Sequence, residues 1–386
     1  MKQKIMLIVP MLHQGGFERV CIATARLLEP FFDVYIAIFD SKDIAYDIKG
    51  LNVIDLHLGV KKGILKKVYN VWKRCRSVKE LKKKLNVDIT YSFGSTANLV
   101  NVLSPAGEKI WVGLRSYMDM ISKWQIRLFC KRADRILCCS KVIEEEIRTK
   151  YNCDKGTTIY NPLDMEEIYR RCESDEARIP WNEDEMIIAS MGREDDVKGY
   201  WHLLKSFSLV MEDIPNARLM IIGDGDFEEY KELAKELKIA DYVYFTGLKK
   251  NPFPYLKAAK LYVLTSYHEG FPNALLEAMA LGIPSIATDC KTGPREILME
   301  EYISEEKSLT DNTGEVVFGD YGILVPNMSP DKNLKAWEIT EEERTLAWEM
   351  KHMIDDKDCY EKYSSKALKR AKDFSNETYV RYFIHA

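Results

Sequence analysis

Residues 261–288 read LYVLTSYHEGFPNALLEAMALGIPSIAT, two apolar segments around one segment with helical character. The outer segments, 261–265 and 284–288, are short and rich in β-branched residues, as is typical of buried strands. Between them, Pro272 is tolerated in the first turn of a helix, and Gly282 suits a helix end. The stretch therefore predicts a strand–helix–strand unit of a parallel sheet.

The same alternation runs through the whole chain. Strands are predicted at 5–11, 33–39, 52–57, 88–93, 109–114, 135–139 and 157–160, and then at 186–191, 217–222, 242–246, 261–265, 284–288 and 321–325, with helical segments such as 17–28 and 141–150 between them. A polar stretch at 163–185 separates the two series. We therefore expect an α/β protein of two Rossmann-like domains, 1–165 and 186–371. Residues 300–320 are expected to form an irregular insertion, and a C-terminal helix at about 372–386 to pack on the first domain.

The composition fits this architecture. The 386 residues, 46% hydrophobic and 30% charged, can bury two cores of ordinary size. The net charge of −4 disfavours a nucleic-acid-binding protein. The charge is unevenly divided, because residues 1–170 hold 29 basic and 19 acidic residues and the remainder holds 27 and 41. This asymmetry indicates two domains with different partners.

Cysteines and apolar runs indicate the compartment. The nine cysteines are scattered without a C-x-x-C pair, so we expect reduced thiols and neither a disulfide framework nor a zinc site. No apolar run approaches the ~20 residues that span a bilayer. The N-terminal run 5–12 is short and contains Pro10, so it is interpreted as a strand rather than a signal peptide. The protein is therefore expected to be soluble and cytoplasmic.

Parallel sheets bind ligands beyond the carboxyl ends of their strands, so residues directly after strands are the candidates for chemistry. Gly15 and Gly16 open a helix, where backbone amides and the helix dipole attract an anion, although a plain tight turn is equally consistent. The turn GDGD at 223–226 fits a glycine turn with a phosphate contact, while its aspartates also suit a metal pair or a helix cap. Neither turn has the G-x-G-x-x-G pattern of a dinucleotide site.

Two cations follow the first strand of the second series. Arg193 and Lys198 stand beside Gly192 and Gly199, five residues apart, at a strand end and a helix start. There they could bracket a diphosphate and neutralise charge on a departing phosphate. In a solvated turn, the acidic run 194–196 would pair with them instead.

Two glutamates belong to the opening stretch. Glu269 falls in the turn beside the backbone amides of 270–273, and Glu277 lies within the helix, more than one turn further on. Carboxylates accept hydrogen bonds from vicinal hydroxyls, and the amides suit phosphate or sugar oxygens. With Arg193 and Lys198, one site could hold a sugar, a diphosphate and a ribose. Alone, either glutamate would most simply be a surface charge.

The segment 268–284 resembles the E-x7-E signature of the retaining GT-B glycosyltransferases of family GT4 (glycosyl transferases group 1), of the type that makes bacterial capsular polysaccharide and exopolysaccharide. Glu269 and Glu277 match its two glutamates. Further motifs match in family order at 15–20, 159–162, 192–199 and 246–247, and the similarity weakens at about 40–85 and 300–320. The resemblance implies two Rossmann-like domains facing each other across a cleft. It also implies transfer from a nucleotide diphosphate sugar with retention, without a metal or other cofactor.

The resemblance assigns roles by motif position. Arg193 and Lys198 would stabilise the leaving diphosphate, and Glu269 would hold the donor sugar. Glu277 would bind the ribose hydroxyls. The other positions implied in donor binding are Gly15, Gly16, Gly192, Gly223, Gly247, Leu248, Gly270, Phe271, Pro272, Asn273 and Ala274. The acceptor would lie on the N-terminal domain.

One family position differs in this chain. Many relatives have a histidine after the fifth strand of the first domain that touches the donor sugar, and here the sequence reads GLRSY at 113–117. Arg115 or Ser116 would take its place. His13, in the first glycine loop, is a further candidate for the cleft.

Residues 61–84 carry eleven Lys or Arg and one Glu. Apolar residues recur there at three- and four-residue spacing: Ile64, Leu65, Val68, Val71, Trp72, Cys75, Val78 and Leu81. This predicts a helix of roughly 35 Å whose apolar stripe packs on the sheet. Its lysines either simply face water or also lie against an anionic membrane leaflet, where each contributes about 1 kcal/mol.

Together these inferences predict a cytoplasmic glycosyltransferase, peripheral on the inner face of the cell membrane. It would move a sugar, from a UDP-sugar by preference, to a glycan or lipid-linked acceptor of a surface polysaccharide or glycolipid. A sugar-nucleotide epimerase of the same fold, a pyridoxal-dependent phosphorylase and a non-catalytic nucleotide-binding partner are the alternatives.

Overall fold

The computed structural model describes residues 2–59, 64–174, 177–182, 184–300 and 314–386. The chain forms two compact units. Unit 1 comprises Met1–Pro162 and Asn376–Ala386, and unit 2 comprises Leu163–Ser375. The predicted insertion at 300–320 lies largely outside the described residues.

Unit 1 is built on a parallel sheet. Its strands are β1 (Gln3–Val9), β2 (Phe32–Ile38), β3 (Asn52–Asp55), β4 (Ile89–Phe93), β5 (Lys109–Leu114), β6 (Arg135–Cys138) and β7 (Gly156–Thr158). Its helices are α1 (Gly16–Leu28), α2 (Ile64–Leu85), α3 (Ser95–Leu103), α4 (Lys123–Arg132), α5 (Lys141–Tyr151) and, at the end of the chain, α14 (Asn376–His385). In the described part the strands pair in parallel, in the order β3-β2-β1-β4-β5-β6-β7.

The central strand of unit 1 is buried on both faces. Ile5, Leu7 and Val9 of β1 join a core that includes side chains of α1 and of α14. Met6 and Ile8 point to the other face and join a core with α2 and α3. This is why the run 5–11 is continuously apolar and does not alternate.

Unit 2 repeats this plan. Its strands are β8 (Met186–Met191), β9 (Ala217–Ile222), β10 (Val243–Phe245), β11 (Leu261–Leu264), β12 (Ser285–Thr288), β13 (Val317–Phe318) and β14 (Ile323–Val325). Its helices are α6 (Met165–Ser174), α7 (Tyr200–Asp213), α8 (Glu228–Glu236), α9 (Phe253–Lys257), α10 (Asn273–Ala280), α11 (Pro294–Leu298), α12 (Glu341–Asp355) and α13 (Lys357–Ala371). The described strands lie in the order β10-β9-β8-β11-β12-β14-β13, parallel except for β13. The predicted fold class, two parallel-sheet α/β domains, is confirmed.

The side chains that the basic helix α2 buries differ from those that were predicted. Val78 is buried, and Val71, Cys75 and Leu81 are half-buried, but Val68 and Trp72 are exposed. The side chains of Ile64 and Leu65 lie outside the described residues. Among the described side chains, the predicted apolar stripe therefore packs inward from Val71 onward, with the exception of Trp72.

Two basic residues of α2, Arg74 and Lys82, point into the unit, so the prediction that the lysines of this helix face water is wrong for Lys82. Arg74 donates to the carbonyl of Leu58 at 2.6 and 2.9 Å. Lys82 Nζ lies 2.6 Å from Glu108 Oε1, with both side chains buried, and donates to Asn101 Oδ1 at 2.8 Å. Burial lowers the pKa of Lys82, and the Glu108 carboxylate opposes that shift. Burying these charged groups costs free energy, which the partners that the fold places beside them offset.

Within the described residues, no helix has both the length and the apolar character that a membrane span requires. The nine cysteines are all free thiols.

Candidate functional site

The candidate residues of unit 2 follow four neighbouring strands. Gly192 and Arg193 follow β8, and Gly223 follows β9. Gly247 comes after β10, and Glu269 lies in the turn after β11. These strands are adjacent in the order β10-β9-β8-β11 and run parallel, so their carboxyl ends share one edge. The fold thus brings residues more than seventy positions apart to a single sheet edge.

Lys198 and Glu269 form an ion pair at this edge. Lys198 Nζ lies 2.7 Å from Glu269 Oε1, and the two side chains are 24% and 11% exposed. Their loops are also joined by two further hydrogen bonds, since the hydroxyl of Thr265 donates to the carbonyl of Lys198 at 2.8 Å and the amide of Tyr267 donates to the carbonyl of Val197 at 3.1 Å. The pair is therefore held in place by backbone on both sides.

Two glycines allow the loops of this edge to touch. A Cβ at Gly223 would overlap the carbonyl oxygen of Gly192, the residue that follows the neighbouring strand. Gly199 has a φ of +61°, and a Cβ there would lie 2.5 Å from the carbonyl oxygen of Thr265. Both positions thus require glycine for close backbone approach, whatever they bind.

A buried tyrosine supports the same loop from below. The phenol of Tyr200, in the first turn of α7, donates to the carbonyl of Gly192 at 2.8 Å. Burial raises the pKa of Tyr200, and the charges of Tyr262 and Glu269 raise it further. The phenol is therefore a proton donor at neutral pH. Nothing in the sequence distinguishes this residue, because an aromatic residue at a helix start is most simply a core residue.

Arg193 is placed differently from Lys198. Its side chain is 65% exposed and lies 2.9 Å from Asp195, the pairing that the sequence had left open for a solvated turn. The neighbouring Glu194 ties two loops together, since its amide donates to the carbonyl of Asp224 and its carboxylate accepts from the amide of Phe227 at 2.8 Å. At this edge Arg193 is consequently an exposed cation, and Lys198 a largely buried one.

The turn after β11 leads into α10. Its carbonyl at Glu269 accepts the hydroxyl of Thr292, and a Cβ at Gly293 would lie 2.5 Å from Pro272 Cδ, so a neighbouring loop packs on the turn. Gly270, Phe271 and Pro272 are buried, while Asn273 and Ala274 are half-buried. Glu277, within α10, is only 2% exposed. The alternative of a surface glutamate is therefore excluded for Glu277.

The turn implied to contact the base is open. Gly247 has a φ of +67°, and among the described residues a Cβ there would meet no atom within 4 Å. The next residue, Leu248, has a half-exposed side chain. Packing against the described residues therefore does not account for the presence of Gly247 and Leu248 at these positions.

In unit 1, the first glycine loop follows β1. Gly15 is bound on both sides by Tyr46, whose phenol accepts from its amide at 3.0 Å and donates to its carbonyl at 2.7 Å. Gly16 opens α1 and is exposed, and a Cβ there would meet no described atom within 4 Å. His13 is half-buried in the same loop. Tyr46 was missed from the sequence because it lies in the region where family similarity is weakest.

The turn after β5 uses Arg115 and Ser116 for internal bonds. The guanidinium of Arg115 is buried and donates to Asn161 Oδ1 at 2.6 Å and to the carbonyl of Ile159 at 3.2 Å. The hydroxyl of Ser116 accepts from the amide of Met118 at 3.2 Å. Asp119, also buried, accepts from the amides of both residues. A contact of either residue with the donor sugar stays a prediction.

Among the described residues, no group of three or more His, Cys, Asp or Glu side chains is arranged to hold a metal ion.

Known structures define the class of this fold. HepE of Anabaena, crystallised in complex with UDP and glucose, matches with a TM-score of 0.73 over 99% of this chain and 98% of its own, at 18% sequence identity. At this identity the likeness shows the fold alone. The structural neighbours are GT-B glycosyltransferases, so the predicted GT-B fold is confirmed.

Sequence comparisons then give the family. Residues 14–167 match the family "Glycosyltransferase Family 4", and residues 173–316 match "Glycosyl transferases group 1". An uncharacterized glycosyltransferase of Methanocaldococcus jannaschii is 35% identical over 66% of this chain and 63% of its own length. N-acetylgalactosamine-N,N'-diacetylbacillosaminyl-diphospho-undecaprenol 4-alpha-N-acetylgalactosaminyltransferase of Campylobacter jejuni is 25% identical over 98% of both chains. The chain therefore matches glycosyltransferase family models along most of its length, which supports its place among the GT-B glycosyltransferases and confirms the predicted enzyme class.

Proposed function

We propose that this protein transfers a sugar with retention of configuration from a nucleoside diphosphate sugar, with UDP as the favoured carrier, to a glycan or lipid-linked acceptor. The observation that carries the proposal is the ion pair of Lys198 and Glu269 at the sheet edge, in front of the helix α10 that contains the buried Glu277. The names of one sequence relative and one structural neighbour are consistent with it. The Campylobacter enzyme is named for a sugar acceptor on diphospho-undecaprenol, and HepE was crystallised with UDP and glucose.

The chemistry follows from charge. When the sugar leaves, the bond from its anomeric carbon to the phosphate oxygen breaks and negative charge grows on the diphosphate. Lys198 is fixed within reach of that charge, and the exposed Arg193 can swing onto a second phosphate oxygen. The acceptor oxygen forms the new bond on the same face, and its proton passes to the departing phosphate. In this scheme the two cations do the work of a metal ion, so none is required.

Glu269 and Glu277 are proposed to bind hydroxyl groups of the donor. Glu269 accepts from a hydroxyl of the sugar while it holds Lys198, and the amides at the start of α10 face the sugar or phosphate oxygens. Glu277 accepts from the ribose hydroxyls. The open turn at Gly247 and Leu248 would contact the base through its backbone.

The acceptor is assigned to unit 1 in this proposal, and the product to a surface polysaccharide, such as a capsule, or to a glycolipid. Such acceptors are carried on lipids. For this reason we propose that the protein binds peripherally to the inner face of the cell membrane through the basic segment 61–84.

A thermal-shift screen with UDP, GDP, ADP and their common sugars tests the donor class, because a ligand that binds only the folded state raises the melting temperature. We expect one UDP-sugar to give the largest shift. Lys198→Ala should reduce that shift and lower transfer about 10²-fold or more. The matched control is Lys231→Ala, which removes an exposed lysine paired with Glu228 on α8 of the same unit.

Two results would overturn the proposal. One is unchanged transfer by Lys198→Ala. The other is a nucleotide sugar that the protein converts to another nucleotide sugar when no acceptor is present, which is the outcome expected of an epimerase.

A further inference from the structure

Unit 1 exposes large apolar side chains at the starts of two helices. On α2 they are Val68, Tyr69 and Trp72, which we call the α2 ridge. On the turn before α4 and in its first residues they are Met118, Ile121 and Trp124, the α4 ridge. Each of the six is more than half exposed. Apolar residues scattered singly over a surface are ordinary, but two aromatic-containing groups of this kind need an explanation.

The two ridges lie on the same face of unit 1 and near the same edge. α2 leads from β3 to β4 and α4 from β5 to β6, and these strands are parallel members of one sheet. The start of each helix therefore lies at the carboxyl edge of that sheet. α3 packs against both α2 and α4, so all three cover the same face. The ridges thus stand side by side, with α3 between them.

The charge of this face is predominantly positive. The sequence contains no Asp or Glu at 64–79, 95–107 or 120–133, the segments that form the first part of α2, α3 and α4, and the exposed Glu80 further along α2 pairs with Arg76 at 2.9 Å. Exposed cations surround the ridges: Lys66, Lys67, Lys73, Arg76 and Lys79 on α2, and Lys123, Arg127 and Lys131 on α4. Asp119, beside Met118, is buried and accepts hydrogen bonds inside the turn. The rings of Tyr69 and Trp72 stack at 5.8 Å, and the Arg76 guanidinium lies 6.0 Å from the Trp72 ring.

We infer that the α2 ridge and the α4 ridge together form one docking surface for an anionic lipid leaflet. Tryptophan and tyrosine favour the boundary between lipid headgroups and acyl chains, and the surrounding cations favour anionic headgroups. A second copy of the same cationic face would be repelled, which disfavours a symmetric dimer through it.

This inference rests on the proposed function in one respect: docking places a lipid-linked acceptor beside the turn after β5 in unit 1. It also changes the prediction, made from the sequence, that the whole segment 61–84 contacts the membrane. The contact uses the first half of α2 together with α4, which the sequence did not suggest. The second half of α2 is committed to the fold, because Lys82 is buried in its ion pair.

Co-sedimentation with vesicles tests the surface. Wild-type protein should bind vesicles of equal parts phosphatidylglycerol and phosphatidylcholine, and should not bind vesicles of phosphatidylcholine alone. The double variant Tyr69→Ala/Trp72→Ala and the single variant Trp124→Ala should each weaken binding to the anionic vesicles about tenfold. The matched control is the double variant Trp337→Ala/Trp348→Ala, which removes two exposed tryptophans from unit 2.

The inference is overturned if both ridge variants bind the anionic vesicles as tightly as the wild type does. It is also overturned if the unit 2 control loses as much binding as the ridge variants, or if the wild type binds phosphatidylcholine vesicles as tightly as the anionic ones. Light scattering gives one more such outcome: a wild-type dimer that the ridge variants convert to a monomer would identify the surface as a contact between copies.

All variants should keep the melting temperature of the wild type and its shift by UDP, which verifies that they are folded. Sugar transfer without vesicle binding would refute the docking surface and leave the proposed transfer reaction standing, whereas vesicle binding without transfer would refute the reaction and leave the docking surface standing.

Discussion

Lys198 Nζ lies 2.7 Å from Glu269 Oε1, so the cation proposed to receive the leaving phosphate is already held by the carboxylate proposed to receive the sugar. Both side chains are mostly shielded from water, which strengthens the pair relative to an exposed one. A bound diphosphate would therefore share Lys198 with Glu269. The two residues are coupled, and their substitutions should have opposite effects on nucleotide binding.

Glu269→Gln is expected to separate nucleotide binding from transfer. The amide keeps the size of the side chain but removes its charge, so Lys198 can interact more fully with a diphosphate. UDP should bind as tightly as in the wild type or up to about tenfold more tightly, while transfer falls about 10²-fold. Calorimetric titration with UDP and steady-state kinetics measure the two effects. A parallel loss of UDP affinity would contradict the coupling.

Gly223→Ala is expected to destabilise unit 2. The added methyl would overlap the carbonyl oxygen of Gly192, and main chain cannot move aside as a flexible side chain can. The free energy of unfolding should fall by about 1–3 kcal/mol, measured by urea denaturation. Gly16→Ala is the matched control, since its methyl would meet no atom of the described chain within 4 Å. Equal stability of the two variants would show that the loops after β8 and β9 do not touch as described.

Lys82→Ala is expected to lower the free energy of unfolding by about 3–5 kcal/mol, because it leaves the carboxylate of Glu108 buried without its cation. Lys83→Ala, at the adjacent exposed position, should change it by less than about 0.5 kcal/mol. Chemical denaturation measures both. The double variant Lys82→Met/Glu108→Leu should recover much of the loss, and failure of Lys82→Ala to destabilise would show that the pair is not buried.

Arg115→Ala is expected to affect stability before it affects the donor. The substitution leaves two acceptors inside unit 1, the carbonyl of Ile159 and the side chain of Asn161, without this donor, at a cost of about 1–3 kcal/mol each. We expect a lower melting temperature and an unchanged KM for the donor at temperatures where the variant is folded. A raised KM with an unchanged melting temperature would instead support the sugar contact implied by the family resemblance.

β5, β8 and β9 were predicted to the residue, whereas β1 begins and ends two residues before the predicted 5–11. β8 and β9 coincide with the predicted 186–191 and 217–222, because a central parallel strand must be apolar on both faces. β10 is shorter than predicted, and β13 was missed since a two-residue antiparallel strand leaves no run to detect. In α2, spacing predicted the helix but not its contacts. A lysine that is buried with a partner and a lysine that faces water look alike in a sequence.

For the site, glycine turns and charged residues directly after strands could be picked out from the sequence, because parallel sheets present those positions at one edge. The pairing of Lys198 with Glu269, 71 residues apart, could not be read from it. That contact depends on β11 lying next to β8, and strand order is set by how whole elements pack. Local sequence thus determined the units of this protein, the class of its fold and most of the candidate residues. Tertiary structure alone decided which charges meet, which are buried, and which aromatic side chains remain in water, because each of these depends on neighbours that are distant along the chain.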